Sequence, residues 1–286
     1  MVKWIPGSED LFMASFRDGS VMIFDKDRDD QPFTPSAPRS WAEEQFQVTT
    51  PHKHPKHNPV SHWRVSEKSV AGFAFSPNGS HVAIVGEDGL LRTVNYSEER
   101  LCDVFGGYYG KLLCVAWSPD NQYILTGGQD DLVTIWAFRE QKIVARCQGH
   151  KSWVTGVAFD PWQCNEQVYR FASVGEDCTL ILWDFSVSAL HRPKQNGKAL
   201  NLFRRRSTMG GKKATVPSTP AEVEKPYHVQ LPTIHPVPNK TQVPYLQPIT
   251  VQTVHADPCV DILFRQDCIV TTDRRGRLRK WGRPQQ

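Results

Sequence analysis

The sequence predicts an all-β protein in which one small sheet is repeated along the chain. The first observation is a recurring phrase, "AFSP" at 74–77, "AWSP" at 116–119 and "AFDP" at 158–161, at a spacing of 42 residues. The second is that apolar residues alternate with polar or small residues within each phrase and in the stretch after it. This two-residue period is typical of a half-buried strand. A fixed period of about 40 residues is typical of folds in which each repeat is one supersecondary unit.

Five units can be superimposed on this pattern. They span 2–25, 70–96, 112–138, 154–185 and 259–283. Each unit predicts three short strands, with a turn containing Pro, Asn, Asp or Gly after the first strand in the best-matched units. A second tight turn carries an acid in four units, at Asp18, Asp88, Asp130 and Asp177.

The third strand ends in an aromatic residue in most units. The residues are Phe24, Trp136, Trp183 and Trp281, and the second unit has Val94 there. A fourth strand is expected before each following unit, and the candidate stretches are 60–65, 100–105, 142–147 and 249–254.

Four antiparallel strands, an Asp turn and a Trp-ending strand resemble the WD40 family, whose fold is the β-propeller. The fourth unit is the fullest match, because Gly149-His150 opens it and Trp183-Asp184 closes it. The resemblance implies a buried hydrogen-bonded tetrad of His150, Ser173, Asp177 and Trp183. Alternatively, His150, Ser173 and Asp177 would form the catalytic triad of a hydrolase. However, the recurrence of such residues in a repeat favours a structural role.

The other units depart from the tetrad. Tyr108 occupies the histidine position in the third unit, Ser66 in the second and His255 in the fifth, and Arg275 replaces the turn acid of the fifth unit. The expected organisation is 2–25 as the first three strands, 26–59 as a Pro/His-rich insertion, 60–105, 106–147 and 148–185 as the next blades, 186–249 as a basic Pro-rich insertion, and 250–283 as a partial last blade. We expect these five blades to be a fragment of a seven-bladed ring, with closure by five blades as the alternative.

Composition limits the function classes. The chain has 286 residues, 39% of them hydrophobic, and seven cysteines without a C-x-x-C pair. No apolar run approaches the roughly 18 residues that a membrane span needs, and the first residues do not form a signal peptide. We expect a cytoplasmic protein with free thiols, with the nucleus as an additional location.

Both insertions were expected to be disordered because they are rich in proline and poor in aliphatic residues. The first contains His52, His54, His57 and His62, which indicates either a solvated linker or a metal site. The second accounts for the positive net charge of +4, since 186–254 holds ten Lys or Arg and two Asp or Glu. Its basic run before Ser207 indicates a nuclear-import patch, a phosphorylation segment with Ser207 as acceptor, or a solvating stretch.

No phosphate loop, zinc signature or nucleophile elbow is present, so no enzyme, cofactor or metal is expected. The stretches 105–138, 149–161, 169–184 and 274–284 are similar to the WD40 branch that contains the fungal catabolite-repression protein CreC and animal activators of ubiquitin-specific proteases. This resemblance implies a non-catalytic scaffold that binds and stabilises or activates a CreB-like deubiquitinating enzyme in carbon catabolite repression. The rival hypothesis is a nucleic-acid or chromatin-associated propeller that uses the basic insertion.

In the WD40 pattern, the residues just before the first strand and those beside the turn acid face one end of the ring. The partner-binding candidates are therefore Trp153, Lys151, Lys111, Gln129, Glu176, Glu87 and Arg17. Trp153 stands out because Lys111 and Ser69 occupy the same position in other units. It is expected to be an exposed anchor or to pack on a neighbouring blade, and Trp162 is a second candidate.

Overall fold

The computed structural model describes residues 1–52, 56–190, 232–239 and 241–283. Regular structure in these ranges is almost entirely β, with one short α-helix, α1 (Trp41–Gln45), and one 3-10 turn at Val187–Ala189. No helix within the described ranges is long and apolar enough to cross a membrane. All seven cysteines are free thiols.

Five sheets, called blades 1 to 5, follow one another along the chain. Blade 1 and its insertion contain β1 (Val2–Trp4), β2 (Leu11–Ser15), β3 (Ser20–Asp25), β4 (Asp29–Asp30), β5 (Gln47–Thr49), β6 (His57–Asn58) and β7 (Ser61–Arg64). Blade 2 contains β8 (Val70–Phe75), β9 (His81–Gly86), β10 (Leu90–Asn95) and β11 (Arg100–Gly106), and blade 3 contains β12 (Leu112–Trp117), β13 (Tyr123–Gly128), β14 (Leu132–Ala137) and β15 (Lys142–Gln148).

Blade 4 begins with β16 (Val154–Phe159), β17 (Tyr169–Gly175) and β18 (Thr179–Phe185). The last part of the second insertion contains β19 (Thr233–His235) and β20 (Tyr245–Leu246), and β21 (Thr250–Thr253), which follows the insertion, completes blade 4. Blade 5 contains β22 (Cys259–Phe264), β23 (Cys268–Asp273) and β24 (Leu278–Gly282). Each expected fourth strand is therefore present at β7, β11, β15 or β21.

The blades surround a central cavity of about 800 Å³. Its walls are the innermost strands β8, β12, β16 and β22 together with the first residues of the chain. Apolar side chains fill the space between successive blades. Successive side chains of a strand point to opposite faces of its sheet, and the apolar faces of neighbouring sheets pack against each other. The cluster between blades 3 and 4 includes the fully buried Ile135, Phe171 and Trp183.

Extensive packing joins each blade to the next one along the chain. Among the described residues, no packing of that extent joins blade 5 to blade 1. One face of each of these two blades is therefore left with exposed apolar side chains, including Trp4 and Leu278.

The end of the second insertion, expected to lack regular structure, forms a strap over the rim. β19 pairs in parallel with β11 of blade 2, β20 pairs in parallel with β15 of blade 3, and β21 pairs antiparallel with β18 of blade 4. Val243 and Leu246 between the prolines are buried. His235 stacks on Phe105 at 4.5 Å between ring centroids. Composition alone missed these contacts, because their apolar partners lie about 90 to 130 residues earlier in the chain.

The first insertion also contains structure. The hydroxyl of Ser40 caps α1 by accepting a hydrogen bond from the Glu43 N–H. β5 extends blade 1 by pairing antiparallel with β7. The buried Asn58 side chain bonds the main chain of Asp25 and Arg28, which ties the insertion to the end of β3.

Candidate functional site

Blade 4 brings its four polar residues into one network. The Nδ1–H of His150 donates to Asp177, with distances of 3.0 and 3.1 Å to the two carboxylate oxygens. Nε2 of His150 lies 2.7 Å from the hydroxyl of Ser173, and the indole N–H of Trp183 donates to the same hydroxyl at 2.9 Å. Each polar atom is satisfied by the next, which is the condition for burying such groups without a large free-energy cost.

The environment of Asp177 keeps it ionised. Burial by itself would raise its pKa, but hydrogen bonds from His150, Thr179 and the Lys151 main-chain N–H outweigh burial and hold the pKa well below its usual range. The Lys151 N–H lies 2.8 Å from the carboxylate. The network therefore also fixes the loop that leads into β16.

Blade 5 contains a second network, in which His255 and Trp281 occupy the positions expected from the repeat but the turn acid is a different residue. His255 bonds Asp273 at 3.1 Å and Thr271 at 2.8 Å, and the indole N–H of Trp281 donates to Thr271 at 2.9 Å. Asp273, not the residue at the aligned position Arg275, accepts the main-chain N–H groups of the turn. The turn acid thus lies two residues earlier than counting back from Trp281 suggests.

Blades 2 and 3 contain related contacts at the same positions. In blade 2 the Ser66 hydroxyl donates to Asp88 at 2.9 Å, and Arg92 pairs with the same carboxylate at 2.7 Å. In blade 3 the Trp136 N–H donates to Thr126 at 2.8 Å.

The networks are structural. The side chain of His150 is almost completely buried and Ser173 is fully buried, so no substrate carbonyl can reach the hydroxyl. The hydrolase alternative has no accessible nucleophile at this position.

The end of blade 4 next to the network presents Trp153. Its side chain is 41% exposed, whereas its carbonyl accepts the Glu176 N–H at 2.8 Å. Glu176 is in turn paired with Arg274 of blade 5. Trp153 is therefore a large, partly exposed aromatic side chain on a loop whose main chain is fixed by hydrogen bonds.

The equivalent end of blade 3 is fixed in the same manner. The Lys111 N–H donates to the side-chain oxygen of Gln129 at 3.0 Å, and the Lys111 ammonium pairs with Glu87 of blade 2 at 2.8 Å. These three candidates meet at one contact between blades. Arg17 is exposed in the β2–β3 turn of blade 1, and Lys151 is exposed beside Trp153.

The chain matches the family model "WD domain, G-beta repeat" over residues 100–137 and 141–184, which are most of blade 3 and blade 4. These are the stretches that contain the turn acids and the Trp-ending strands. The chain contains WD40 repeats.

The WD40 chain is 38% identical over 307 aligned positions to the "UBP9-binding protein bun62" of Schizosaccharomyces pombe, covering 99% of this chain and 55% of the relative. The chain thus spans about half the length of that curated relative. Two solved structures, "Structure of U3-55K" and "Crystal structure of RRP9 WD40 repeats", are each 16% identical, with TM-scores of 0.48 and 0.47. They cover 75% and 74% of this chain, and 49% and 47% of the solved chains.

Tyr109 is an exposed residue that was not among the partner-binding candidates predicted from the sequence. It is 74% exposed and lies three residues before β12, at the position that Lys151 occupies before β16. The signal was present in the sequence, because two adjacent tyrosines occupy a loop between glycines.

Trp162 lies at the opposite end of β16 from Trp153. It is exposed, and the Arg283 guanidinium lies over its ring at 5.1 Å. Its contacts are therefore within the WD40 domain, in the seam between blades 4 and 5.

Two of the four histidines in and beside the first insertion contact one aromatic ring. Phe33 lies edge-on to His52 at 6.2 Å and to His62 at 5.2 Å, and burial lowers the pKa of His62. Within the described ranges, no group of three or more His, Cys, Asp or Glu could hold a metal ion. His54, Ser207 and the basic run lie outside the described residues.

Proposed function

We propose that this chain is a non-catalytic WD40 scaffold that binds a deubiquitinating enzyme of the ubiquitin-specific protease family. The observation that carries the proposal is Trp153, a half-exposed indole on a loop that is fixed by Asp177 and Glu176. A rigid aromatic side chain loses little conformational entropy on binding, which is why such residues dominate interface energetics. The name of the S. pombe relative records binding to UBP9, which supports a partner of this class.

The proposed docking surface is the end of blades 3 and 4 that presents Tyr109, Lys111, Lys151 and Trp153. The ion pairs of Lys111 with Glu87 and of Glu176 with Arg274 hold this surface rigid across two contacts between blades. The finer proposal is that the partner is CreB-like, acts in carbon catabolite repression, and is stabilised in its competent conformation on binding.

The test is capture of a purified CreB-like protease by the full chain carrying Trp153→Ala. We expect affinity to fall at least about tenfold, as for a central aromatic anchor. The free energy of unfolding should change by less than about 1 kcal/mol, because the removed side chain is partly solvated. Trp41→Ala is the matched control, since Trp41 is similarly exposed but lies on α1 in the insertion.

A second readout separates binding from activation. Hydrolysis of a fluorogenic ubiquitin substrate by the protease should rise when the wild-type chain is added and should need more of the Trp153→Ala chain for the same rise. Equal capture by both chains would refute the docking surface, and an unchanged hydrolysis rate with normal capture would refute activation.

A further inference from the structure

Three prolines of the first insertion recur at every third residue. Pro32, Pro35 and Pro38 lie in the stretch 31–39, which contains no helix or strand and joins β4 to α1. A polyproline II helix has three residues per turn, so prolines at this spacing lie along one side of it. Pro32 and Pro35 are exposed and Pro38 is half-buried. We call these three residues the proline ridge.

The sequence itself restricts this stretch to an extended conformation. Each proline ring fixes its own φ at about −65°, and the residue before a proline is kept out of the helical region. Between residues 31 and 38, only two positions are neither a proline nor the residue before one, Phe33 and Ser36. A segment that is extended before it binds loses little conformational entropy on binding.

The two positions that the prolines leave unrestricted are held by contacts. The Phe33 ring lies edge-on to the rings of His52 and His62. The Ser36 hydroxyl accepts a hydrogen bond from the side-chain N–H of Gln47 on β5 at 3.0 Å. Phe33 and Ser36 are three residues apart, as the prolines are, so they share a different side of the segment. One side is therefore attached to the insertion while another side carries the proline ridge.

Both ends of the stretch are also fixed. At its start, the Gln31 N–H donates to the Asn58 carbonyl at 3.2 Å. At its end, the main-chain N–H of Arg39 donates to the Glu43 carboxylate of α1 at 2.6 Å. Arg39 is exposed and directly follows the last proline. The structure therefore displays an ordered proline ridge with a cation at one end.

We propose that residues 31–39 are a docking site for an SH3-type domain of a partner protein. Domains of this class bind extended P-x-x-P segments in a groove lined by aromatic side chains, and acidic residues beside the groove select a flanking Arg or Lys. Pro35 and Pro38 occupy the groove, and Arg39 faces its acidic end. The segment has no Pro-Pro pair, which other polyproline-reading domains favour. This site lies on the insertion of blade 1 and does not depend on the proposed function.

The probe is an array of purified SH3 domains, with an array of WW domains beside it, incubated with the labelled full chain. The SH3 domain that binds most tightly is then titrated by fluorescence anisotropy. Pro35→Ala combined with Pro38→Ala should weaken its binding at least about tenfold, because two groove contacts are lost. Arg39→Glu should also weaken it, by charge repulsion. Pro6→Ala is the matched control and should change nothing, since Pro6 is an exposed proline in the turn between β1 and β2.

Phe33→Ser tests whether the ridge is ordered before binding. The substitution removes the ring that holds the segment and leaves the proline side unchanged. The full chain should therefore bind the same domain about threefold more weakly, because the segment must then be ordered on binding. A synthetic peptide of residues 30–41 should bind equally well with or without this substitution, since the free peptide has no anchor to lose.

The proposal is overturned if no SH3 domain on the array binds the full chain. Equal binding by the double proline variant at an unchanged melting temperature has the same meaning. If that variant melts at a lower temperature, the wild-type peptide of residues 30–41 is used as a competitor instead, and its failure to displace the domain overturns the proposal. Binding to WW domains alone would also overturn it, because another class of domain would then recognise the segment.

Discussion

Arg283 and Asp160 form a buried ion pair that fastens blade 5 to blade 4. The guanidinium donates to the two carboxylate oxygens at 2.6 and 3.1 Å, and the Asp160 side chain is only 2% exposed. The same guanidinium bonds the Arg265 carbonyl and lies over the Trp162 ring. The pair joins residues that are 123 positions apart in the chain.

Arg283→Ala leaves the Asp160 carboxylate buried without its cation. Breaking a buried pair in this manner costs about 3–5 kcal/mol, and the loss of the contact with Trp162 adds about 0.5–1 kcal/mol. One main-chain N–H, that of Trp162, still reaches the carboxylate at 3.1 Å. We therefore expect the lower part of that range, about 3 kcal/mol.

Asp160→Ser combined with Arg283→Ala should restore most of this loss. Blades 2 and 3 have Ser76 and Ser118 at the same position, and the Ser118 hydroxyl accepts the Tyr123 N–H at 2.8 Å. A serine therefore fits the turn without a charge, and removal of both charges leaves nothing unpaired. The double variant should lie within about 1 kcal/mol of the wild type.

The assays are urea unfolding followed by circular dichroism and native-state hydrogen exchange of β22, β23 and β24. Exchange is the sharper measurement, because loss of the pair should release blade 5 before the other blades. A cost below about 1 kcal/mol for Arg283→Ala, or a double variant no more stable than the single one, would show that the ion pair does not fasten blade 5 to blade 4.

Two further predictions concern the network and the strap. Because the native pKa of Asp177 is depressed, its contribution to stability is complete above about pH 4 and is lost as the pH falls below that value. Asp177→Asn should therefore reduce the fall of the melting temperature between about pH 5 and pH 2. An unchanged pH profile of the melting temperature would contradict the role given to His150. Leu246→Ala should lower the free energy of unfolding by about 2–4 kcal/mol, because the side chain is buried in the cluster between blades 3 and 4. It should also speed hydrogen exchange in β19 and β20. If exchange in these strands is unaffected, the strap is held by other contacts.

The sequence predicted the blades because their determinants are local. The alternation of side chains that predicts a strand acts over a few residues, as do the Pro or Asp turns before each strand. The strands predicted in this way are present at Leu132–Ala137 and Thr179–Phe185. The tetrad of blade 4 was implied by the resemblance to the WD40 pattern, which assigns roles to His150, Ser173, Asp177 and Trp183 by their position within the repeat.

The fifth blade shows where position counting fails. Its turn has the same number of residues as that of blade 4, since Thr272 pairs with Leu278 as Val174 pairs with Leu180. Asp273 nevertheless takes the role that the alignment gave to position 275. A turn acid is chosen by which carboxylate can reach the free N–H groups, and Asp273 receives those of Arg275 and Arg277. The geometry of that turn is not contained in the spacing to Trp281.

The sequence by itself determined the all-β class, the pitch of the repeat and the polar network of blade 4, because each depends on residues close together in the chain. Only the tertiary structure decided the partners of the strap, the second network, the pairing of Asp160 with Arg283 and the exposure of Trp153, Tyr109 and Trp4. These features depend on which distant surfaces meet and which stay uncovered. Strand periodicity says that a face is apolar, but the packing of neighbouring blades decides whether that face is buried or free to bind.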